Sequence, residues 1–424
     1  MGAVAVIFVV CMISKDVTFA PFPNALRTVS QTLCLLAGVS GIASHFTVAL
    51  LPRYWLVLTY LGVLIVCAPF TTFPFFVLLQ VMSLASAIVF AVAFFDAAQQ
   101  ARDKRLRMLV ACIVLTYGTV IILSLLVARF EPTLVYERLF AGNETGYEIR
   151  FRGMFSKAGG MGAASGLLLG LAAIFLRRWW VKLSIIGPAA ICLALTQSRS
   201  FWIASLLAGC MTLWMYFPNW RKRLIVCSGI VGLVVMTYIA LNFTVDTSDL
   251  QAFGRVNTVA NLTGRTELWD FARKGWSGKP WLGYGLTLGG LVLEGDRAIP
   301  SDADPTQFSR QTLHSGYVQS MMDSGAIGFL LYAMIILVAI TRLVRYDSRR
   351  QYPEVLYVLL FLSIANLGES VIYSGSVFHS LCFWIFAVFA MGLDKRTLVQ
   401  KNGENQDLAG ADRNAMPFFP NLMR

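Results

Sequence analysis

Ser315-Gly-Tyr-Val-Gln-Ser-Met-Met-Asp-Ser-Gly-Ala-Ile-Gly-Phe-Leu-Leu-Tyr-Ala-Met-Ile-Ile-Leu-Val-Ala-Ile340 carries Asp323 as its sole charged side chain and is followed at once by Arg342 and Arg345. About 20 apolar residues in a helix cross the hydrocarbon core of a bilayer, and basic residues at one end mark the cytoplasmic side. The stretch therefore predicts a transmembrane helix that enters from outside and ends in the cytoplasm. Similar apolar runs recur at 1–14, 28–50, 54–70, 76–98, 108–128, 153–176, 181–197, 200–217, 224–243, 354–373 and 377–393. The fold class they predict is all-α, a polytopic inner-membrane helical bundle of about 12 transmembrane helices.

Composition agrees. Of 424 residues 57% are hydrophobic and only 14% charged, which excludes a soluble globule. A net charge of +12 would suggest nucleic acid in a soluble protein. Here the basic residues gather in Arg102/Lys104/Arg105/Arg107, Arg177/Arg178/Lys182, Arg221/Lys222/Arg223, Arg342/Arg345/Arg349/Arg350 and Lys395/Arg396. Threading the spans alternately puts every cluster on one side, so the charge reports topology, both termini are expected in the cytoplasm, and no nucleic-acid partner is implied. The expected organisation is an N-terminal bundle over 1–243, a large periplasmic loop with an amphipathic helix over 244–314, C-terminal spans over 315–393, and a polar cytoplasmic tail over 394–424 whose composition predicts disorder.

All eight cysteines lie within or at the ends of apolar runs, which argues against a disulfide framework, and no Cys/His spacing suits zinc. Met1 to Ile13 lacks a basic leader and an A-x-A site, and reads as an uncleaved anchor.

Lipid explains the spans but not the charges on the outward side. Arg199 sits in a very short link, Thr196-Gln-Ser-Arg199, where a guanidinium can snorkel to the interface or hold an anion. Arg265 opens Arg265-Thr-Glu-Leu-Trp269-Asp-Phe-Ala-Arg-Lys-Gly-Trp276, an amphipathic helix with Leu268, Trp269, Ala272 and Trp276 on one face. Its start would suit a phosphate. Gly283-Tyr284-Gly285 follows Pro280 and reads as a turn, with no nucleotide-binding motif near it. The acidic residues between Glu294 and Arg310 match no calcium loop. His314 stands where the polar loop gives way to the apolar run, and imidazole is the side chain suited to accepting a proton near neutrality. Asp323 and Glu369 are acids at membrane depth, which marks them as candidates for a functional or pairing role.

The order Ser198-Arg199 between spans, then Gly264-Arg265 with Trp269, then Gly283-Tyr284-Gly285, then His314 at a span start followed by Gly325 and Gly328, resembles the O-antigen ligase and polysaccharide polymerase superfamily. Arg152-Gly-Met-Phe-Ser-Lys157 resembles the motif of its exopolysaccharide, succinoglycan-type branch; Ser315 and Ala158 stand where that pattern commonly has asparagine. The resemblance implies a cofactor-free and metal-independent, inverting glycosyl transfer at the periplasmic face. The substrate it implies is an oligosaccharide on undecaprenyl diphosphate, handled in membrane lipid beside other polysaccharide export components. By that analogy His314, Arg265 and Arg199 are the catalytic set, and Arg152, Lys157, Gly283, Tyr284, Gly285 and Glu369 bind substrate. A polymerase joining repeat units is expected ahead of a ligase acting on lipid A core. A lipid-linked oligosaccharide flippase is the rival of another class, disfavoured because no two halves of the chain match.

Overall fold

The computed structural model describes residues 2–17, 23–45, 51–96, 102–140, 147–216, 265–294, 313–347, 351–371 and 378–393. Its helices are α1 (Gly2–Asp16), α2 (Pro23–His45), α3 (Leu51–Cys67), α4 (Pro74–Asp96), α5 (Arg102–Phe130), the single turn α6 (Pro132–Val135), α7 (Ala158–Phe175), α8 (Trp179–Leu195), α9 (Arg199–Tyr216), α10 (Arg265–Trp276), α11 (Gly316–Tyr346), α12 (Pro353–Gly368) and α13 (Phe378–Met391). Every predicted span except 224–243, which lies outside the described residues, falls on one of them. Among the described residues five stretches are long and apolar enough to cross a membrane, and shorter apolar helices accompany them, so the protein is a helical membrane protein.

Small residues decide the tightest packing. Gly162, Gly166 and Gly170 lie four apart and form one stripe along α7. A Cβ there would sit 2.6 Å from Phe201, 2.5 Å from Phe361 and 2.0 Å from Tyr357, so only glycine admits these rings. The Tyr357 hydroxyl then donates to the Gly166 carbonyl at 2.6 Å. These contacts fix directions: α9 runs alongside α7, and α12 runs against both. At the far end Tyr216 of α9 donates to Asp347, just before α12, at 2.5 Å.

The basic residues gather at that end. Arg102 is almost wholly buried, and both of its terminal nitrogens are paired, donating to the Gly392 carbonyl at 2.9 Å and the Phe389 carbonyl at 2.5 Å. Arg342 donates to the Met391 carbonyl, and Lys182 to the Ala173 carbonyl at 2.7 Å. Guanidinium and ammonium groups thus cap helix C-termini, where the unpaired carbonyls and the helix dipole favour cations. The clusters at 221–223, 349–350 and 395–396 lie outside the described residues.

One expectation is corrected and one element is new. Between α6 and α7, β1 (Tyr136–Phe140) and β2 (Tyr147–Phe151) pair antiparallel with Tyr136 opposite Phe151 and Glu137 opposite Arg150. The tenth run is not one straight helix. α11 breaks at Gly325, whose φ of 64° and ψ of −170° belong to a region essentially confined to glycine. Tyr317 and Tyr332 would stand about 22 Å apart along a straight helix. Their ring centroids are 6.0 Å apart, so the arms 316–324 and 326–346 fold back side by side. The second arm alone is about 31 Å long, enough to cross the bilayer.

Candidate functional site

The break at Gly325 is closed by main-chain bonds from the loop after α10. Tyr284 N–H donates to the Met322 carbonyl at 2.8 Å and Gly285 N–H to the Asp323 carbonyl at 2.9 Å, while Ala326 N–H donates to the Pro280 carbonyl at 2.8 Å. Carbonyls ending one arm and an N–H opening the next are thereby satisfied, as buried backbone requires. Gly283 and Gly285 have φ of 68° and 110°, and a Cβ on Gly283 would lie 2.6 Å from the Asp323 backbone. In the Gly-Tyr-Gly stretch the N–H groups of Tyr284 and Gly285 are therefore committed to the helix break, while that of Gly283 donates to the Lys279 carbonyl at 3.1 Å. Burial raises the Tyr284 phenol above its ordinary pKa, and it donates to the Gly275 carbonyl at 2.8 Å.

The arm 316–324 starts at His314. Ser315 is its N-cap, and Gly316 N–H donates to the Glu369 carbonyl at 3.3 Å. His314 itself is left-handed, with φ of 50°, a conformation that costs an L residue about 1–2 kcal/mol. Such strain persists only where neighbours over-determine it. They do here: Leu313 is fully buried, its carbonyl accepts from the Trp269 indole at 2.9 Å, and its N–H donates to Gln319 Oε1 at 3.2 Å. The imidazole is left about half exposed, with Nδ1 3.7 Å from Glu369 Oε2. That is an ion-pair separation rather than a hydrogen bond. Nε2 is the ring nitrogen that does not face the carboxylate.

Arg199 is the first residue of α9, exposed, after the turn through Gln197 at φ 53°. Because α9 runs against α12, Arg199 and Glu369 lie at the same end of the bundle, with His314. Lys157, the N-cap of α7, is exposed at that end too. Arg152, just after β2, is tied to α6, Nη2 donating to the Leu134 carbonyl at 3.1 Å, and Glu137 accepts from the first N–H of α7, Ala158, at 3.1 Å. Arg265 opens α10; its side chain lies outside the described residues. The helix it opens is joined to the histidine turn by Trp269, and Ala272 packs with Leu313 and Met322. α10 thus lies on the bundle.

Gln319 and its surroundings escaped the sequence reading. Its Nε2 donates to Asp323 Oδ1 at 2.9 Å; the other carboxylate oxygen accepts from Thr287 N–H at 2.8 Å, and Oδ1 accepts as well from Gly289 N–H. Gln319 and Asp323 lie four residues apart in an apolar run, which places them on one helix face and was the available signal. Among the described residues no group of three His, Cys, Asp or Glu could hold a metal ion.

Comparison with known proteins adds one finding. Residues 183–333 match the family described as O-antigen ligase. That stretch contains α9, α10, the loop closing the break, His314 and the turn at Gly325. No curated protein matches the chain.

Proposed function

From the premise that residues 183–333 form an O-antigen ligase family domain, which places the chain in the O-antigen ligase and polysaccharide polymerase superfamily, we propose that this protein is an exopolysaccharide polymerase of the bacterial inner membrane. It joins oligosaccharide repeat units carried on undecaprenyl diphosphate at the periplasmic face. The observation that carries the reading is the strained, half-exposed His314 with Nδ1 3.7 Å from Glu369, at the bundle end where Arg199 opens α9.

In the step, an acceptor hydroxyl attacks the anomeric carbon of the donor as the bond from that carbon to the diphosphate oxygen breaks. His314 takes the hydroxyl proton on Nε2, and Glu369 stabilises the imidazolium. Arg199 and Arg265 neutralise the departing diphosphate, as guanidinium groups suit phosphate oxygens. One displacement inverts the anomeric centre, and neither nucleotide nor metal is required. Arg152 and Lys157 contact the lipid-linked chain.

His314→Ala, Arg199→Ala and Arg265→Ala, each verified as inserted, are expected to abolish long polymer, a loss of at least roughly a hundredfold for the base. Full-length polymer from all three would sink the reading. The family description favours a second reading, transfer of finished polysaccharide to lipid A core. A deletion strain separates them: loss of long chains indicates the polymerase, whereas long lipid-linked chains left uncapped indicate the ligase. Activity of the purified protein on lipid-linked repeat units with and without chelator tests metal independence.

A further inference from the structure

We infer that Gln319 is a positioning residue that sets His314 for the reaction through a buried strut running from the helix break to the helix opened by Arg265. The inference rests on the function proposed above for the identity of the reaction, but its geometry is independent of it. Thr287 and Gly289, in the loop that closes the break, donate their N–H groups to the Asp323 carboxylate, which also accepts from Gln319 Nε2. The other end of the Gln319 amide accepts from Leu313 N–H. The peptide following Leu313 begins His314, and the Leu313 carbonyl accepts from Trp269 of α10. A single side chain therefore joins the loop, the arm 316–324, the histidine turn and, through Leu313, the helix that carries Arg265.

The chemistry allows one orientation of this amide. A peptide N–H only donates, so the oxygen of Gln319 must face Leu313, which leaves its NH2 group to donate to Asp323. Nothing else in the strut can exchange those roles. Gln319 is 4% exposed and Asp323 fully buried, so neither reaches substrate from where it stands. What they fix is the left-handed turn at His314, whose unfavourable conformation needs support on both sides.

The test uses full-length protein in lipid vesicles and, as probe, lipid-linked oligosaccharides extracted from a strain lacking the protein. Gln319→Leu fills the same space and removes both ends of the strut. Turnover is expected to fall roughly tenfold or more, while KM for the lipid-linked probe stays within about twofold, because a misplaced base costs rate rather than ground-state binding. A second readout does not depend on activity: diethylpyrocarbonate modification of His314, followed on its own peptide by mass spectrometry. With the turn released, modification is expected to accelerate about threefold or more. Unchanged turnover, or a fall in turnover with an unchanged modification rate, would overturn the inference. If Gln319→Leu does not insert, Trp269→Phe, which keeps an aromatic ring and removes the indole bond to the Leu313 carbonyl, is held to the same two readouts. Full activity in His314→Ala would overturn the catalytic reading of the preceding subsection and leave the modification rate to decide this one.

Discussion

At the scale of single residues the demanding positions are those whose backbone other residues cannot copy. A Cβ on Gly325 would lie 2.2 Å from the Trp281 carbonyl oxygen, in addition to its φ of 64° and ψ of −170°. Gly325→Ala is expected to cost on the order of 3 kcal/mol or more, read as a lowered midpoint of thermal unfolding in detergent; a midpoint equal to the parent's would refute the strained break. Removing the Tyr284 hydroxyl is milder. Tyr284→Phe should cost about 1 kcal/mol, the net worth of one hydrogen bond with the Gly275 carbonyl left partly wet. His314 shows what sequence can and cannot disclose at this scale. Its place where a polar loop meets a helix start was legible, whereas its left-handed φ was not, because no glycine or asparagine marks it. Gln319 was overlooked for a related reason: its one sign in the sequence, an acid four residues on in the same apolar run, says nothing of Leu313, whose N–H its oxygen accepts from.

At the scale of elements, α7 and α10 were legible to different degrees. The glycines of α7 are visible in sequence, but the partner rings come from α9 and α12, remote in the chain. Gly166→Leu must push Phe361 and Ser205 aside and is expected to destabilise by about 1–3 kcal/mol or to lower insertion yield, measured by the fraction surviving detergent heating. α10 was readable from its amphipathic face, with its side against the bundle now given by Ala272. Its exposed side is braced by Asp270, which lies 2.8 Å from Lys274 and 2.9 Å from Arg273. Lys274 first, then Arg273, hold the Asp270 carboxyl below its ordinary range. With the folded pKa depressed, the stabilisation is present above the unfolded value and is lost as pH falls through the folded one. Acid titration of Asp270→Asn should accordingly show a weaker loss of α10 than the parent, followed by hydrogen exchange over 265–276. The β1–β2 hairpin was missed because its strands are five residues each, next to a span whose apolar signal dominates any short window.

For the whole molecule, the apolar runs were enough to give the described helices, and Arg102, Lys182 and Arg342 of the basic clusters bond to helix C-terminal carbonyls. Arg102 shows what such bonds hold together: one buried guanidinium joins the start of α5 to the last carbonyls of α13. Arg102→Met would leave those carbonyls without their donor and is expected to cost about 1–3 kcal/mol, with a lowered unfolding midpoint as the measure. The fold-back at Gly325 was the largest feature beyond reach of the sequence, since hydropathy registers only how apolar a run is and not whether it reverses. That reversal also imposes an order of events on the growing chain. The loop at 280–289 leaves the ribosome before its partners at 322–326 exist, and its glycine turns have nothing to bond until those residues follow. The two segments must therefore mature together, so the histidine turn can be completed only after the chain that enters the membrane behind it has been made.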